Sequence, residues 1–123
     1  MNGQARISIV DDDPSVTRAL SRLCRSAGYR VLAFDSAEAF LDADGPGQSD
    51  CLILDLHLPG LSGLDLQARL ADAQQRVPVV MITAFDSEQA RQQALDAGAR
   101  AFLNKPVQTD RLLEVIEDAV GTG

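Results

Sequence analysis

Asp11, Asp12, Asp55, Thr83 and Lys105 each follow closely on a short apolar run, and together they form an unusual inventory of reactive groups. Carboxylates crowded into one place repel one another and resist ionising unless a cation joins them. A hard divalent ion resolves that conflict. Mg²⁺, or Mn²⁺ in its place, takes oxygen ligands and commonly keeps several waters, with one or two carboxylates and phosphate oxygens completing its shell. Such an ion would neutralise charge on an incoming phosphoryl group while a carboxylate attacks it. The Thr83 hydroxyl could donate to one phosphoryl oxygen. The Lys105 ammonium, a compact point charge on a flexible stem, could pair with another.

For that chemistry the elements of the chain must bring these residues together. Five β-rich apolar runs recur: Arg6 to Val10, Arg30 to Phe34, Cys51 to Leu54, Val77 to Thr83, and Ala101 to Leu103. Helical spacing fills the intervals, in Val16, Ala19, Leu20, Leu23, Cys24 and Ala27, in Ala37, Phe40 and Leu41, and in Leu112, Val115, Ile116 and Ala119. Asp13 is placed to cap the first helix ahead of Pro14, and Ser36, Ser62 and Thr109 suit later caps. Gly28 and Gly98 suit helix stops, and Asp44 to Ser49 reads as a loop. Alternating strands and helices imply parallel strands with right-handed crossovers, an α/β doubly wound (βα)5 sandwich. Ligands of such sheets bind at the carboxyl ends of the strands. Those ends carry Asp11-Asp12-Asp13, Asp55, Thr83 and Asn104-Lys105-Pro106, so the reactive groups converge on one rim.

Composition narrows the function further. With 11 basic and 18 acidic residues among 123 and a net charge of −7, the chain offers no positive footprint for nucleic-acid phosphates. Arg6, Arg18, Arg22, Arg25 and Arg30 read as a solvated face. Cys24 and Cys51 lie within apolar patterns and are expected as buried, reduced thiols. The N-terminal MNGQAR is neither a signal peptide nor an anchor, and no run approaches the roughly 20 apolar residues that cross a bilayer. The expectation is one cytoplasmic domain over residues 1–120, with Gly121-Thr122-Gly123 a frayed end or the start of a linker.

Over Arg6 to Val120 the sequence resembles the receiver family of two-component response regulators. The resemblance rests on Ile9-Val10-Asp11-Asp12-Asp13, on Ile53-Leu54-Asp55-Leu56-His57-Leu58-Pro59-Gly60-Leu61-Ser62-Gly63, on Ile82-Thr83-Ala84 and on Asn104-Lys105-Pro106. It implies a flavodoxin-like five-stranded sheet in the order 2-1-3-4-5. It also implies that Asp55 accepts a phosphoryl group from a sensor histidine kinase or phosphotransfer protein, a self-directed transfer followed by slow autodephosphorylation rather than conventional enzyme turnover. By the same resemblance Asp12 and Asp55 ligate the metal, Asp11 helps through a coordinated water, and the His57 backbone carbonyl supplies a further ligand. Thr83 and Lys105 would hold the acyl phosphate, Thr83 and Phe102 would switch together, and the Lys105–Pro106 bond would be cis. Asp13 fits a helix cap better than the acidic pair.

Other residues carry subsidiary expectations. The lone histidine, His57, and Phe85 stand two positions beyond Asp55 and Thr83, where they would modulate how water reaches an acyl phosphate. The helix after Thr83 offers an inward face of Ala90, Ala94 and Ala97, which buries little area. With the fifth strand and the last helix it would form the surface that changes on phosphorylation, dimerises or contacts an output domain. Phe102 and Ala37-Glu38-Ala39-Phe40-Leu41 resemble receivers that precede a helix-turn-helix DNA-binding domain, so truncation from a transcription regulator is expected. Three alternatives stand beside this. Asp11-x-Asp13-x-Ser15 superficially matches a haloacid-dehalogenase-type phosphatase but leaves Asp55 and Lys105 without roles. A flavin carrier on the same fold would need a phosphate-binding loop in place of three aspartates. A degenerate receiver would lack some of the five site residues that are present here.

Overall fold

Strands and helices alternate in the order β1 (Arg6–Val10), α1 (Pro14–Ser26), β2 (Arg30–Phe34), α2 (Ala37–Asp42), α3 (Gly45–Gln48), β3 (Cys51–Asp55), α4 (Gly63–Asp72), β4 (Val79–Thr83), α5 (Glu88–Asp96), β5 (Ala101–Asn104) and α6 (Thr109–Val120). The computed structural model describes residues 4–85 and 87–121, so most of the expected frayed end, Thr122 and Gly123, lies outside the described residues. All five strands are parallel, in the order β2-β1-β3-β4-β5. This is the doubly wound sheet that the alternation implied.

Two apolar layers hold the sheet between its helices. Strand side chains alternate between its faces, so β3 sends Leu52 and Leu54 to one side and Cys51 and Ile53 to the other. Val79 and Met81 of β4 join the first layer, under α2, α4 and α5. Val80 and Ile82 join the second, under α1 and α6. Every residue of β3 and β4 is buried, as central strands covered on both faces should be. Cys24 and Cys51 are buried and unpaired, and burial pushes their thiols up to about 11 and about 12. Neither is a thiolate nucleophile at neutral pH.

The helix ends follow local chemistry. Asp13 caps α1 by accepting from the Ser15 amide at 2.9 Å, with Pro14 next. Ser36 caps α2, and Ser62 forms a reciprocal capping box with Asp65 on α4. Gly28 and Gly98, each one residue past a helix cap, have φ of 95° and 103°, where a side chain would be strained. Four details depart from the sequence reading. The 44–49 stretch is not wholly a loop, because Pro46 pre-sets φ and Ser49 Oγ donates to the Gly45 carbonyl at 2.6 Å, closing the single turn α3. Strand β4 starts at Val79 instead of Val77; Pro78 has no N–H for the ladder, although its carbonyl accepts from Leu52 N at 2.8 Å. Gln108, not Thr109, stands at the N-cap of α6, without a side-chain hydrogen bond. Ala97 is exposed at the end of α5, whose one fully buried residue is Ala94.

The α2 contact has a measurable consequence. Phe40 is fully buried and meets Phe34 edge-to-face, with ring centroids 5.4 Å apart. Replacing Phe40 with alanine removes that ring from a close-packed layer and is expected to cost about 3–5 kcal/mol, read from the midpoint of urea unfolding at an unchanged slope.

Candidate functional site

The rim at the carboxyl ends of β1, β3, β4 and β5 gathers the candidates. Asp11 directly follows β1; its amide donates to the Phe34 carbonyl at 3.2 Å, and its Oδ1 accepts from the Asp13 amide at 2.9 Å. Three consecutive aspartates thereby take three positions: Asp11 buried and oriented, Asp12 exposed at the turn, and Asp13 turned away as the helix cap. Asp55 ends the buried strand β3, and its Oδ1 accepts from the His57 amide at 3.2 Å. One carboxylate oxygen from each of Asp11, Asp12 and Asp55 lies within 4.8 Å of the others. Lys105 arrives from the far side of β4, its amide donating to the Thr83 carbonyl at 2.8 Å and its bond to Pro106 cis. Its Nζ stands 2.8 Å from Asp11 Oδ2 and 3.4 Å from Asp55 Oδ2.

Charge does not balance at this rim. Among the described residues three carboxylates repel in three pairs, while a single ammonium attracts two of them. Burial first, and then the like charge of Asp11, push the Asp55 carboxyl above its usual range, although Lys105 pulls the other way. Burial disfavours the Lys105 ammonium, but the Asp11 and Asp55 carboxylates outweigh it and hold its pKa above the usual lysine value. The donors are all hard oxygen groups, which fits Mg²⁺ or Mn²⁺ and does not fit zinc, whose structural sites use Cys and His. A divalent cation would supply the charge that Lys105 alone lacks.

Thr83 is fully buried, and its hydroxyl is engaged locally. Oγ1 accepts from the Phe85 amide at 3.0 Å and donates to the Phe85 carbonyl at 3.1 Å. Phe85 is 70% exposed, and its ring meets the exposed His57 edge-to-face, with centroids 5.6 Å apart. The two proposed modulators are therefore one aromatic pair beside Asp55. Phe102 is not at the acidic rim. It is buried in the layer beneath α5, with the Arg91 guanidinium 5.8 Å from its ring centroid.

Two positioning residues escaped the sequence reading. Glu38 of α2 accepts from the Leu61 amide at 3.0 Å, tying the segment after Asp55 to a helix 23 residues away; this hydrogen bond holds the Glu38 carboxyl below its usual range. Gly63 opens α4 so close to β3 that an added Cβ would lie 2.6 Å from the Asp55 carbonyl and 2.9 Å from Leu56 Cα. Both neighbours are backbone and cannot move aside. A glycine at the first helical position after a serine cap was the visible signal; the Glu38 contact had none, being a long-range pair between a surface acid and an amide.

With fold and rim in view, the class is defined: the chain belongs to the response regulator receiver domain family, whose model matches residues 7–117. Among individual relatives, the response regulator protein TmoT of Ectopseudomonas mendocina is 43% identical over 121 residues, covering 98% of this chain and 55% of that protein. The transcriptional regulatory protein FixJ of Bradyrhizobium diazoefficiens is 38% identical over 121 residues, covering 98% and 58%. The chain thus spans little more than half the length of these relatives. Among solved structures, the response regulator StyR superposes with a TM-score of 0.88 at 41% identity, covering 95% of this chain and 59% of that one. FixJ-N gives 0.86 at 33% identity, covering 98% and 95%. No helix among the described residues is long and apolar enough to cross a membrane.

The electrostatics yield a stability prediction. Because the folded-state pKa of Asp55 lies above the ordinary 3.8, folding binds its proton, and stability falls as pH rises from 3.8 through the folded value. Above that window the penalty is fully present. Without divalent cations, Asp55→Asn is expected to melt at a higher temperature than the parent at pH 7, the gain shrinking as pH falls toward 4. Parallel melts across pH check this; a gain independent of pH contradicts it.

Proposed function

We propose that this domain is a phosphorylation-driven signalling module in which Asp55 accepts a phosphoryl group from a phosphohistidine on a sensor histidine kinase or phosphotransfer protein. The observation that carries the reading is the placement of Asp55, a buried strand-end carboxylate with Asp11 and Asp12 within shared-ligand range and an ammonium 3.4 Å away. An Asp55 oxygen bonds to phosphorus as the donor's N–P bond breaks, and the electron pair returns to the imidazole nitrogen. When bound, Mg²⁺ or Mn²⁺ draws negative charge from the carboxylate and the phosphoryl oxygens. Asp12, Asp55 and the His57 carbonyl would hold it, with Asp11 acting through a coordinated water.

Lys105 pairs with one phosphoryl oxygen. Thr83 has one hydroxyl proton, so it donates to another phosphoryl oxygen only by giving up its bond to the Phe85 carbonyl, and phosphorylation and the rearrangement after β4 share that proton. The group biases a two-state equilibrium by that differential contact. The Phe102 ring, packed beneath α5, follows the Thr83 movement. Helix α5, with Ala94 as its one fully buried residue, is the element most easily shifted, and the α5–β5–α6 face becomes the surface for dimerisation or an output domain. Water attacking phosphorus releases inorganic phosphate and restores the carboxylate, and the His57–Phe85 pair limits that approach. The partial coverage of the relatives and the name of FixJ, a transcriptional regulatory protein, support a longer protein that controls transcription. In this reading residues 1–120 are its receiver, the segment from Gly121 is its linker, the output domain in cis binds DNA, and the protein works in the cytoplasm.

Intact-mass spectrometry with acetyl phosphate and Mg²⁺ tests the reading. One phosphoryl group per chain is expected on the parent and none on Asp55→Asn; multiple labelling, or an equally labelled variant, overturns it. In the same assay His57→Ala is expected to lose its label faster than the parent, and identical decay removes His57 from the account.

A further inference from the structure

Three of the five arginines scattered through the first thirty residues meet at the end of the sheet opposite the aspartates. Arg6 opens β1 and Arg30 opens β2 as its direct register partner, while Arg25 lies in the last turn of α1. With Tyr29 and Gln48 they line a cleft of about 480 Å³. Among the described residues one carboxylate forms an ion pair with them, Asp50, 3.7 Å from Arg6 Nε and itself 44% exposed, while the charge of Glu117 is felt at Tyr29. Among the described residues neither Arg25 nor Arg30 has an ion-pair partner, in a chain with 18 acidic residues.

A solvated face does not account for this grouping. Like charges facing each other on neighbouring strands are destabilising, and Arg6 and Arg30 are such a pair. Helix-dipole stabilisation explains Arg25 at the end of α1, but it leaves the other two unexplained. Arg18 and Arg22, on the same helix, do not line the cleft.

We propose that this cleft binds a small anion carrying two or more phosphoryl groups. Guanidinium forks engage phosphate oxygens two at a time, and separate arginines on β1, α1 and β2 suit more than one phosphoryl group. The volume falls within the range of small-molecule sites and exceeds what a single phosphate fills. The half-buried Tyr29 adds an aromatic wall, so pyrophosphate and a nucleoside diphosphate share the recognised chemistry. The site does not depend on the role of Asp55.

Titration calorimetry and amide-shift mapping of the whole chain, in EDTA so that no cation recruits phosphate to the aspartates, test the proposal with pyrophosphate and with ADP. One saturable site is expected, with shifts at Arg6, Tyr29, Arg30 and Gln48 and none at Asp11, Asp12 or Asp55. Arg25→Ala with Arg30→Ala should weaken binding about 10- to 100-fold, the loss of one or two charged hydrogen bonds, while Arg18→Ala with Arg22→Ala leaves it unchanged. Melting curves verify that both double variants are folded. Tighter binding of ADP identifies a nucleotide occupant and equal binding a diphosphate group alone; either supports the site. Absence of saturation, shifts at the aspartate rim, or equal losses in the two double variants overturns it.

Discussion

The Lys105 ammonium stands between two carboxylates that the fold buries, Asp11 and Asp55, and it lies within 3.4 Å of both. Much of the architecture serves that contact. Burying like charges side by side is costly unless they are paired, and here the pairing is deliberately incomplete, since Asp12 joins the same cluster without a second ammonium. Burial first, and the like charge of Asp11 second, hold the Asp55 carboxyl above its usual range against the pull of Lys105. A site left short of positive charge favours a cation, and an anionic group arriving with a cation resolves what Lys105 alone does not. Structural cost and chemical purpose therefore reside in the same atoms.

The sheet order makes the contact possible. Asp11 and Asp55 come from adjacent strands, β1 and β3, whereas Lys105 crosses over from beyond β4, its amide anchored on the Thr83 carbonyl. That anchor places the cation and the Thr83 hydroxyl on one backbone connection. The hydroxyl in turn holds Phe85, and the Phe85 ring meets His57. Loops on both sides of Asp55 are thus joined through a single side chain. On the β3 side, Gly63 admits α4 against the Asp55 carbonyl and Glu38 grips the Leu61 amide, so the segment after Asp55 is fixed at both ends. Helix α5 is held more lightly among the described residues: the buried Ala94, the partly buried Ala90, the Gln67 bond to the Ala94 carbonyl and the Arg91 contact with the Phe102 ring secure it.

Legibility in the sequence followed the range of the interaction. The parallel sheet was readable because β3 and β4 are apolar on both faces, a pattern set residue by residue. The helix starts at Asp13, Ser36 and Ser62 were readable because a cap is a contact over two or three residues. The rim was readable because a strand end is also a sheet end, so Asp11, Asp55, Thr83 and Lys105 had to share an edge whatever the loops did. Interactions that join distant surface positions were not: Glu38 with Leu61, the aromatic pair of His57 and Phe85, and the gathering of Arg6, Arg25 and Arg30. Composition marks such residues only as polar or exposed. The one-turn α3 was missed for the opposite reason, since glycine, proline and serine near a chain reversal suit a loop and a short helix equally; at α6 the better capping side chain, Thr109, is already the first helical residue and Gln108 precedes it without a side-chain bond.

The central claim is that the rim is short of one divalent positive charge. Titrating the unphosphorylated chain with MgCl₂ while following backbone amide shifts measures this directly. The account predicts a single saturable binding event, with the largest shifts at Asp11, Asp12, Asp55 and His57, that weakens when Asp12 is replaced by asparagine. Shifts that never saturate, or that centre elsewhere and ignore the Asp12 change, would contradict it.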